Sequence, residues 1–194
     1  MSLRTEAPSA CNRTHALLGI LEECVDTARH QNLSLNAAFE RLGDTSFSFI
    51  CIVLTLPFIQ PVPLGPLTVL GGLNFMALGF QLALGHQTPW VPRKLKSAQP
   101  PQRVWVAMLR SCEWILKFCG RLTKRRFTTW VTGVRGRRLC GSLIFAGGGL
   151  MAIPFGGLPL NNALPALMIL FACIAELEED GLMLIVSLFW GALS

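Results

Sequence analysis

Formal charge is missing from two long stretches of this chain, Thr45 to Pro92 and Leu139 to Ala175. Charged residues make up 14% of the 194 residues, whereas a typical soluble domain contains about 25%. This scarcity of charge excludes an ordinary soluble domain and predicts one integral membrane domain. Residues 1–31 lack a continuous apolar core and carry acids, so we expect no cleavable signal peptide and insertion through the internal segments.

Motifs for metal binding, disulfide formation and catalysis are also missing. The seven cysteines form no CxxC pair, and we expect them to fill packing gaps as small apolar side chains. The three histidines, His15, His30 and His86, lie outside the apolar segments without a recognisable serine or cysteine partner, and no phosphate-binding glycine loop is present. The sequence therefore predicts a protein that is not an enzyme and binds no metal or cofactor.

Each uncharged stretch is interrupted near its middle by prolines and glycines. The first break is PVPLGP at residues 61–66, and the second is PFGGLPLNN at residues 154–162. A membrane-spanning helix needs about 20 apolar residues, and the segment from Phe47 to Gln60 is shorter than that. Irregular backbone at membrane depth must be buried in protein or line a water-filled cavity. Each stretch therefore predicts a hairpin, either re-entrant or built from two tilted spans joined by a surface turn.

The two uncharged stretches also resemble each other. A shift of 96 residues aligns several identical pairs, among them Pro63 with Pro159 and Gly85 with Gly181. Both copies have the same order of a short apolar segment, a break and a longer apolar segment, which is typical of transporters with internal repeats and a binding site near the midplane. The connector offers no convincing span, which favours parallel copies, whereas the opposite charges at the copy ends favour inverted ones.

A basic connector, residues 93–138, joins the two hairpins. It holds 13 of the 17 Lys and Arg residues, and Glu113 is its only acid. Between Arg103 and Arg121 the pattern predicts an amphipathic helix in the interface plane. We expect its polar face to contact anionic lipid headgroups through Arg103, Arg110, Lys117 and Arg121. Beside membrane segments these charges indicate a cytoplasmic connector rather than a nucleic-acid-binding surface.

The fold class that follows is all-α, a polytopic helical membrane protein with two broken hairpins forming an internal repeat and with amphipathic interfacial helices. Residues 1–43 form amphipathic helices that end at Gly43, residues 44–92 the first hairpin, 93–138 the connector, and 139–194 the second hairpin and a terminal apolar helix. The acidic cluster, Glu176 and Glu178 to Asp180, could bind a divalent cation. The sequence favours instead a solvated helix end beside the connector.

Polar side chains inside apolar segments are costly and therefore mark candidate sites. Gln60, Asn161 and Asn162 adjoin the breaks, so with Pro63 they are candidates for substrate contact, and capping of freed backbone groups explains them equally well. Asn74 and Gln81 are interpreted as amides that bridge helices or cap carbonyls. Glu176 is the remaining polar candidate.

Several blocks of the sequence are specific to a known family. The segments RLGDTSF at 41–47, PVPLGPLTVLGGLNFMALGFQLALG at 61–85, PWVPRKL at 89–95 and ELEEDG at 176–181 resemble the ExoD exopolysaccharide-synthesis family of bacterial inner-membrane proteins. The resemblance implies a multi-pass inner-membrane protein that supports exopolysaccharide production, and it supplies no catalytic residues. Two hypotheses follow. One is transporter-like handling of a lipid-linked intermediate or an ion; the other is a structural or regulatory subunit that binds the biosynthesis proteins.

Overall fold

The computed structural model describes residues 42–59, 65–86, 88–90, 128–153 and 162–194, together with residues 19, 20, 22, 23, 26, 27, 103, 106, 107, 110, 111, 114, 115 and 117. Within these residues the structure contains five continuous α-helices, two short 3-10 turns and no strand. The helices are α1 (Ser46–Ile59), α2 (Pro66–Ala83), α3 (Gly133–Ala152), α4 (Ala163–Glu178) and α5 (Gly181–Leu193). The predicted all-helical class is confirmed for this part of the chain.

The helix boundaries follow from local backbone chemistry. Gly43 and Gly65 adopt φ of +51° and +54°, a left-handed conformation that glycine adopts without a steric penalty. Pro66 then occupies the first turn of α2, where its missing N–H is not needed. Between α4 and α5 the backbone N–H of Leu182 donates a hydrogen bond of 2.9 Å to Asp180 Oδ1, so Asp180 caps α5.

Helix α3 begins earlier than the uncharged stretch that predicted it. The hairpin was expected from residue 139, whereas α3 begins at Gly133 and includes Arg135, Arg137 and Arg138. The last part of the connector is therefore helical and continuous with the second hairpin. At 20 residues, α3 is about 30 Å long at a rise of about 1.5 Å per residue.

Helices α1 to α4 pack in a ring in the order α1, α2, α3, α4, and α5 packs mainly on α4. Ser48 of α1 and Arg137 of α3 both contact Glu176 near the last turn of α4, so α1 and α3 run antiparallel to α4. Thr68 and Asn162 meet where α2 and α4 begin. We call these two ends the connector end and the break end, because the breaks follow α1 and α3 and precede α2 and α4.

The tightest helix contact is a glycine interface between α2 and α3. An added Cβ on Gly72 would lie 2.6 Å from the carbonyl oxygen of Gly148, and one on Gly141 would lie 2.7 Å from that of Gly79. Glycines seven residues apart on each helix therefore face each other in antiparallel order. Small residues let helix backbones approach closely, which favours van der Waals packing where the surroundings are apolar. The contact of α1 with α2 is looser, and it rests on an edge-to-face pair between Phe58 and Phe75.

Side chains of the amphipathic segments also reach the bundle. Ile115 in the connector is buried in the apolar core, and Ile20 packs against that core. The described residues of both segments are helical. The terminal helix α5 packs on the bundle, where Ser187 donates a hydrogen bond of 2.7 Å to the Met168 carbonyl oxygen of α4. Cys51, Cys140 and Cys173 are free and buried, which confirms the apolar packing expected of these three cysteines.

Among the described residues, one helix is long and apolar enough to cross a membrane, Pro66–Ala83. Only 33% of its residues are buried inside the structure, so its exposure differs from that of a soluble core helix. Ser46–Ile59 and Gly181–Leu193 are apolar but shorter. The multi-pass topology and the re-entrant hairpins stay predictions.

Candidate functional site

The sequence predicted a site at the breaks, and the structure describes only part of it. Gln60, Pro63 and Asn161 lie outside the described residues. Asn162 is described, and its Nδ2 donates a hydrogen bond of 3.2 Å to Thr68 Oγ1. Asn162 is the last residue of the second break and Thr68 follows the first by two residues, so this bond brings the two sequence-distant ends of the breaks together. The Asn162 side chain makes no capping hydrogen bond at the start of α4.

The other two amides have structural partners. Asn74 Nδ2 donates a hydrogen bond of 2.8 Å to the Leu70 carbonyl oxygen of its own helix. Gln81 Oε1 accepts a hydrogen bond of 2.6 Å from the backbone N–H of Trp90. This bond differs from the interpretation made from the sequence, because Gln81 accepts from a backbone N–H and neither caps a carbonyl nor bridges two helices. It holds the segment that leaves α2. Trp90 itself is 70% exposed.

A polar network joins three helices at the connector end. Ser48 Oγ donates a short hydrogen bond to Glu176 Oε2. Arg137 Nε lies 3.6 Å from Glu176 Oε1, with side chains that are 23% and 11% exposed respectively. Arg137 Nη2 also donates a hydrogen bond of 3.2 Å to the carbonyl oxygen of His86. We call Ser48, Arg137 and Glu176 the ionic network. Through His86 it also reaches the chain that follows α2.

A cavity of about 200 Å³ lies beside the ionic network. Its lining combines charged, hydroxyl and apolar side chains with a glycine: Thr45, Val131, Gly133, Arg137, Glu176, Leu177 and Glu179. Among the described lining residues, Glu176 and Glu179 carry carboxylates and Arg137 carries a guanidinium. The cavity can therefore offer both acceptors and donors to a small polar ligand.

The acidic cluster is not the solvated helix end that the sequence favoured. Glu178 is 7% exposed and Asp180 is fully buried. The reason is that α5 folds back on α4 directly after Asp180, so this turn is enclosed between packed helices. Glu179 adopts φ +52°, a left-handed conformation that costs a residue with a Cβ about 1–2 kcal/mol. No group of three His, Cys, Asp or Glu side chains among the described residues could hold a metal ion.

The structure describes three of the four residues that the sequence predicts to contact lipid headgroups. Arg103, Arg110 and Lys117 are exposed and helical, and Arg121 lies outside the described residues. Trp114, at 68% exposure, lies on the same face, because positions 103, 107, 110, 114 and 117 follow the spacing of one helix stripe. We call Arg103, Arg110, Trp114 and Lys117 the basic face. The buried Ile115 shows that another side of this helix packs on the bundle.

Two members of the ionic network were not among the sequence candidates. Arg137 was assigned to the connector, although the 96-residue shift pairs it with Arg41 at the corresponding place of the first copy. That pairing was the sequence feature that could have marked Arg137 as a candidate. Ser48 carried no signal, because a lone serine in an apolar helix usually bonds to its own backbone. Glu176 was a candidate from the sequence, as a polar residue at the end of an apolar segment, and the structure places it in the ionic network.

Comparisons with known proteins identify the same family that the sequence blocks resemble. The model of the family described as exopolysaccharide synthesis, ExoD, matches residues 17–194. The protein named Protein ExoD of Rhizobium meliloti (strain 1021) is 27% identical over 168 residues, which cover 87% of this chain and 70% of that protein. No solved structure matches the chain.

Proposed function

This chain belongs to the ExoD exopolysaccharide-synthesis family, and we propose that it acts there as a multi-pass inner-membrane protein that handles a lipid-linked intermediate. The observation that carries the proposal is the ionic network, which holds a charged pair, with side chains only 23% and 11% exposed, among apolar helices. Ionisable groups within membrane segments are expensive and usually mark a functional pathway. A purely structural bundle gains little from such a pair.

The outer surface of α2 supports a membrane location. Leu67, Leu70, Leu73 and Phe80 are each between 52% and 58% exposed. A row of large exposed apolar side chains is unfavourable in water, and lipid chains would cover it without cost. Trp90 and Trp130 are exposed by 70% and 65%, and both adjoin the connector end. Tryptophan at one end of a bundle is typical of the headgroup level.

The pairing of the helices supports the proposed internal repeat. Helix α1 packs on α4 and α3 packs on α2, so exchanging the two copies leaves the set of neighbouring helices unchanged, although the α2–α3 interface is the tighter one. Helices α1 and α3 run in one direction and α2 and α4 in the other, which is the parallel alternative. Paired breaks in corresponding positions are the pattern of transporters.

The connector sets the proposed orientation. It leaves α2 and enters α3 at the connector end, and its excess of Lys and Arg favours the cytoplasmic side. The break end then faces the opposite side of the membrane or lies within it. In this arrangement the ionic network and its cavity are near the cytoplasmic surface.

Complementation tests the proposed function. A strain that lacks the gene is supplied with wild-type protein, with the Glu176→Gln variant or with the Ser142→Ala control, and the secreted polysaccharide is measured at matched protein levels. Ser142 is exposed and bonds to its own helix. We expect the deletion and Glu176→Gln to lower polysaccharide output and Ser142→Ala to restore it. Unchanged output in the deletion strain would refute the proposed role.

A structural or regulatory subunit is the second candidate, and the basic face is the observation that favours it. Arg103, Arg110 and Lys117 are exposed beside Trp114, so we propose that they contact anionic lipid or the biosynthesis proteins at the cytoplasmic surface. A surface cation can contribute about 1 kcal/mol of attraction to anionic lipid.

Lipid that co-purifies with the protein tests the basic face. The full-length protein and a variant with Arg103, Arg110 and Lys117 replaced by Gln are purified from the same membranes, and the bound lipids are quantified by mass spectrometry. We expect the variant to retain less phosphatidylglycerol and the same amount of neutral lipid, because only the charge is removed. Equal phosphatidylglycerol in both would indicate a protein partner for this face.

A further inference from the structure

We propose that the cavity beside the ionic network binds a single neutral sugar ring, an inference that rests on the proposed function. The cavity measures about 200 Å³. Sites for drug-sized ligands are usually about 300 to 1,000 Å³, so this smaller space suits one ring unit. It lies at the connector end, where α1, α3 and α4 meet and where the basic connector returns to the bundle.

The lining matches the chemistry of a sugar. Sugar hydroxyls both donate and accept hydrogen bonds, and the carboxylates of Glu176 and Glu179 and the guanidinium of Arg137 supply both kinds of partner. The C–H faces of a sugar ring need apolar contact, which Val131 and Leu177 provide. A few placed polar groups among apolar side chains are the usual composition of a small-molecule site.

Other small ligands fit this lining less well. Of the described lining residues, a phosphate group would meet the carboxylates of Glu176 and Glu179 and the guanidinium of Arg137, which already lies 3.6 Å from Glu176. Like charges placed close together are unfavourable. A divalent metal finds no suitable group of ligands in the part of the chain that the structure describes. A lipid tail would leave the carboxylates and the guanidinium without solvent.

Glu179 offers a clean variant for the test. Its φ of +52° is a conformation that glycine adopts without the cost of a Cβ. Glu179→Gly therefore removes a cavity carboxylate and relieves backbone strain at the same position. Thr45→Val is a second variant in the lining, because it removes a hydroxyl at nearly constant volume. Arg135 is exposed and lies outside the cavity lining, so Arg135→Gln is the matched control.

The experiment is a saturation-transfer NMR titration of the full-length protein in nanodiscs. The probes are methyl β-D-glucoside and methyl β-D-galactoside, with inorganic phosphate as the competing ligand. We expect saturation transfer to the ring protons of at least one glycoside, and phosphate should not displace it. Loss of a hydrogen bond to a charged group should raise the Kd about tenfold in Glu179→Gly. Arg135→Gln should bind as the wild type does.

Three results would overturn the inference. They are no saturation transfer from the wild-type protein, the same affinity in Glu179→Gly and Thr45→Val as in the wild type, or displacement of the glycoside by phosphate. The two proposals fail separately. Absent sugar binding with normal complementation removes only the sugar site, whereas unchanged polysaccharide output in the deletion strain removes the proposed function even if the cavity binds sugar.

Discussion

Gly148 and Gly149 are adjacent residues of α3 in opposite environments. A Cβ on Gly148 would lie 2.7 Å from the Gly72 carbonyl oxygen and 2.7 Å from the Met76 backbone nitrogen, whereas one on Gly149 would have nothing within 4 Å. The atoms that oppose Gly148 are backbone, so they cannot rotate away as a flexible side chain would. Close packing is therefore required at Gly148 and not at Gly149.

This contrast gives a prediction for stability. Gly148→Ala should lower the free energy of unfolding by about 1–3 kcal/mol, the usual cost of overpacking. Gly149→Ala should raise it by about 0.5–1 kcal/mol, because alanine favours the helix over glycine. Denaturant unfolding of the two purified variants measures both effects. Equal stability of the two would contradict the close contact between α2 and α3.

The hydrogen bond from Ser48 to Glu176 can be tested by a double-mutant cycle. Ser48→Ala should lower the free energy of unfolding by about 1–2 kcal/mol, since it leaves a half-buried carboxylate with one donor fewer. In a Glu176→Gln background the same substitution should cost about 1 kcal/mol less. Ser142→Ala, which removes an exposed hydroxyl bonded within α3, is the control. An identical cost of Ser48→Ala in both backgrounds would show that the two side chains are not coupled.

Among the elements, α2 and α4 are held together where they begin. Thr68 Oγ1 and Asn162 Nδ2 are 3.2 Å apart, although 94 residues separate them in the sequence. This is the described contact closest to both breaks, so it is the point at which the proposed repeat can be probed.

Cysteine crosslinking tests that contact. In a background without native cysteines, Thr68→Cys with Asn162→Cys should form a disulfide rapidly on mild oxidation, because the two side chains are already in contact. Leu73→Cys with Asn162→Cys is the control, since Leu73 is 53% exposed on the outer surface of α2. Equal crosslinking rates of the two pairs would mean that α2 and α4 do not meet at the break end.

The sequence predicted where the helices lie along the chain better than it predicted which helices pack together. The first apolar segment, Phe47 to Gln60, corresponds to α1 (Ser46–Ile59), and the terminal run corresponds to α5, because hydropathy and proline positions mark such segments directly. The start of α3 was missed because helix propensity continues through Arg135, Arg137 and Arg138 where the apolar signal stops. Which helices pack together depends on glycine spacing and shape across the chain, and hydropathy carries neither.

The candidate site was predicted in part for the same reason. Glu176 and the amides were found because a polar residue stands out in an apolar segment. The burial of Glu178 and Asp180 was not, since it depends on α5 folding back over the turn. The ionic network also requires three helices to be placed side by side. Single-segment patterns do not contain that information.

At the scale of the whole molecule, the described residues place apolar side chains on the outside of the bundle and an ion pair within it. Large apolar side chains such as Leu70 and Phe80 are exposed along α2, whereas the ionic network is largely enclosed at the connector end. Among the described residues, exposed basic side chains lie on the basic face and at Arg135 and Arg138 in the first turns of α3. This distribution suits a bundle surrounded by lipid, with its charged end at the cytoplasmic surface.

The proposed membrane topology is tested most directly by measuring which side of the membrane each end of the bundle faces. Single cysteines are placed by Gln102→Cys in the connector and by Gln60→Cys and Asn161→Cys at the breaks, in a background without native cysteines. Each is labelled with a membrane-impermeant thiol reagent in intact spheroplasts and after permeabilisation.

We expect Gln102→Cys to be labelled only after permeabilisation, and Gln60→Cys and Asn161→Cys to crosslink to each other as parts of a shared polar cavity. Free labelling of both break positions from outside without crosslinking would make the breaks surface turns and favour the subunit hypothesis. Labelling of Gln102→Cys in intact spheroplasts would contradict the proposed orientation. Recovery of the protein in the soluble fraction after cell lysis would contradict the proposal that it is a membrane protein.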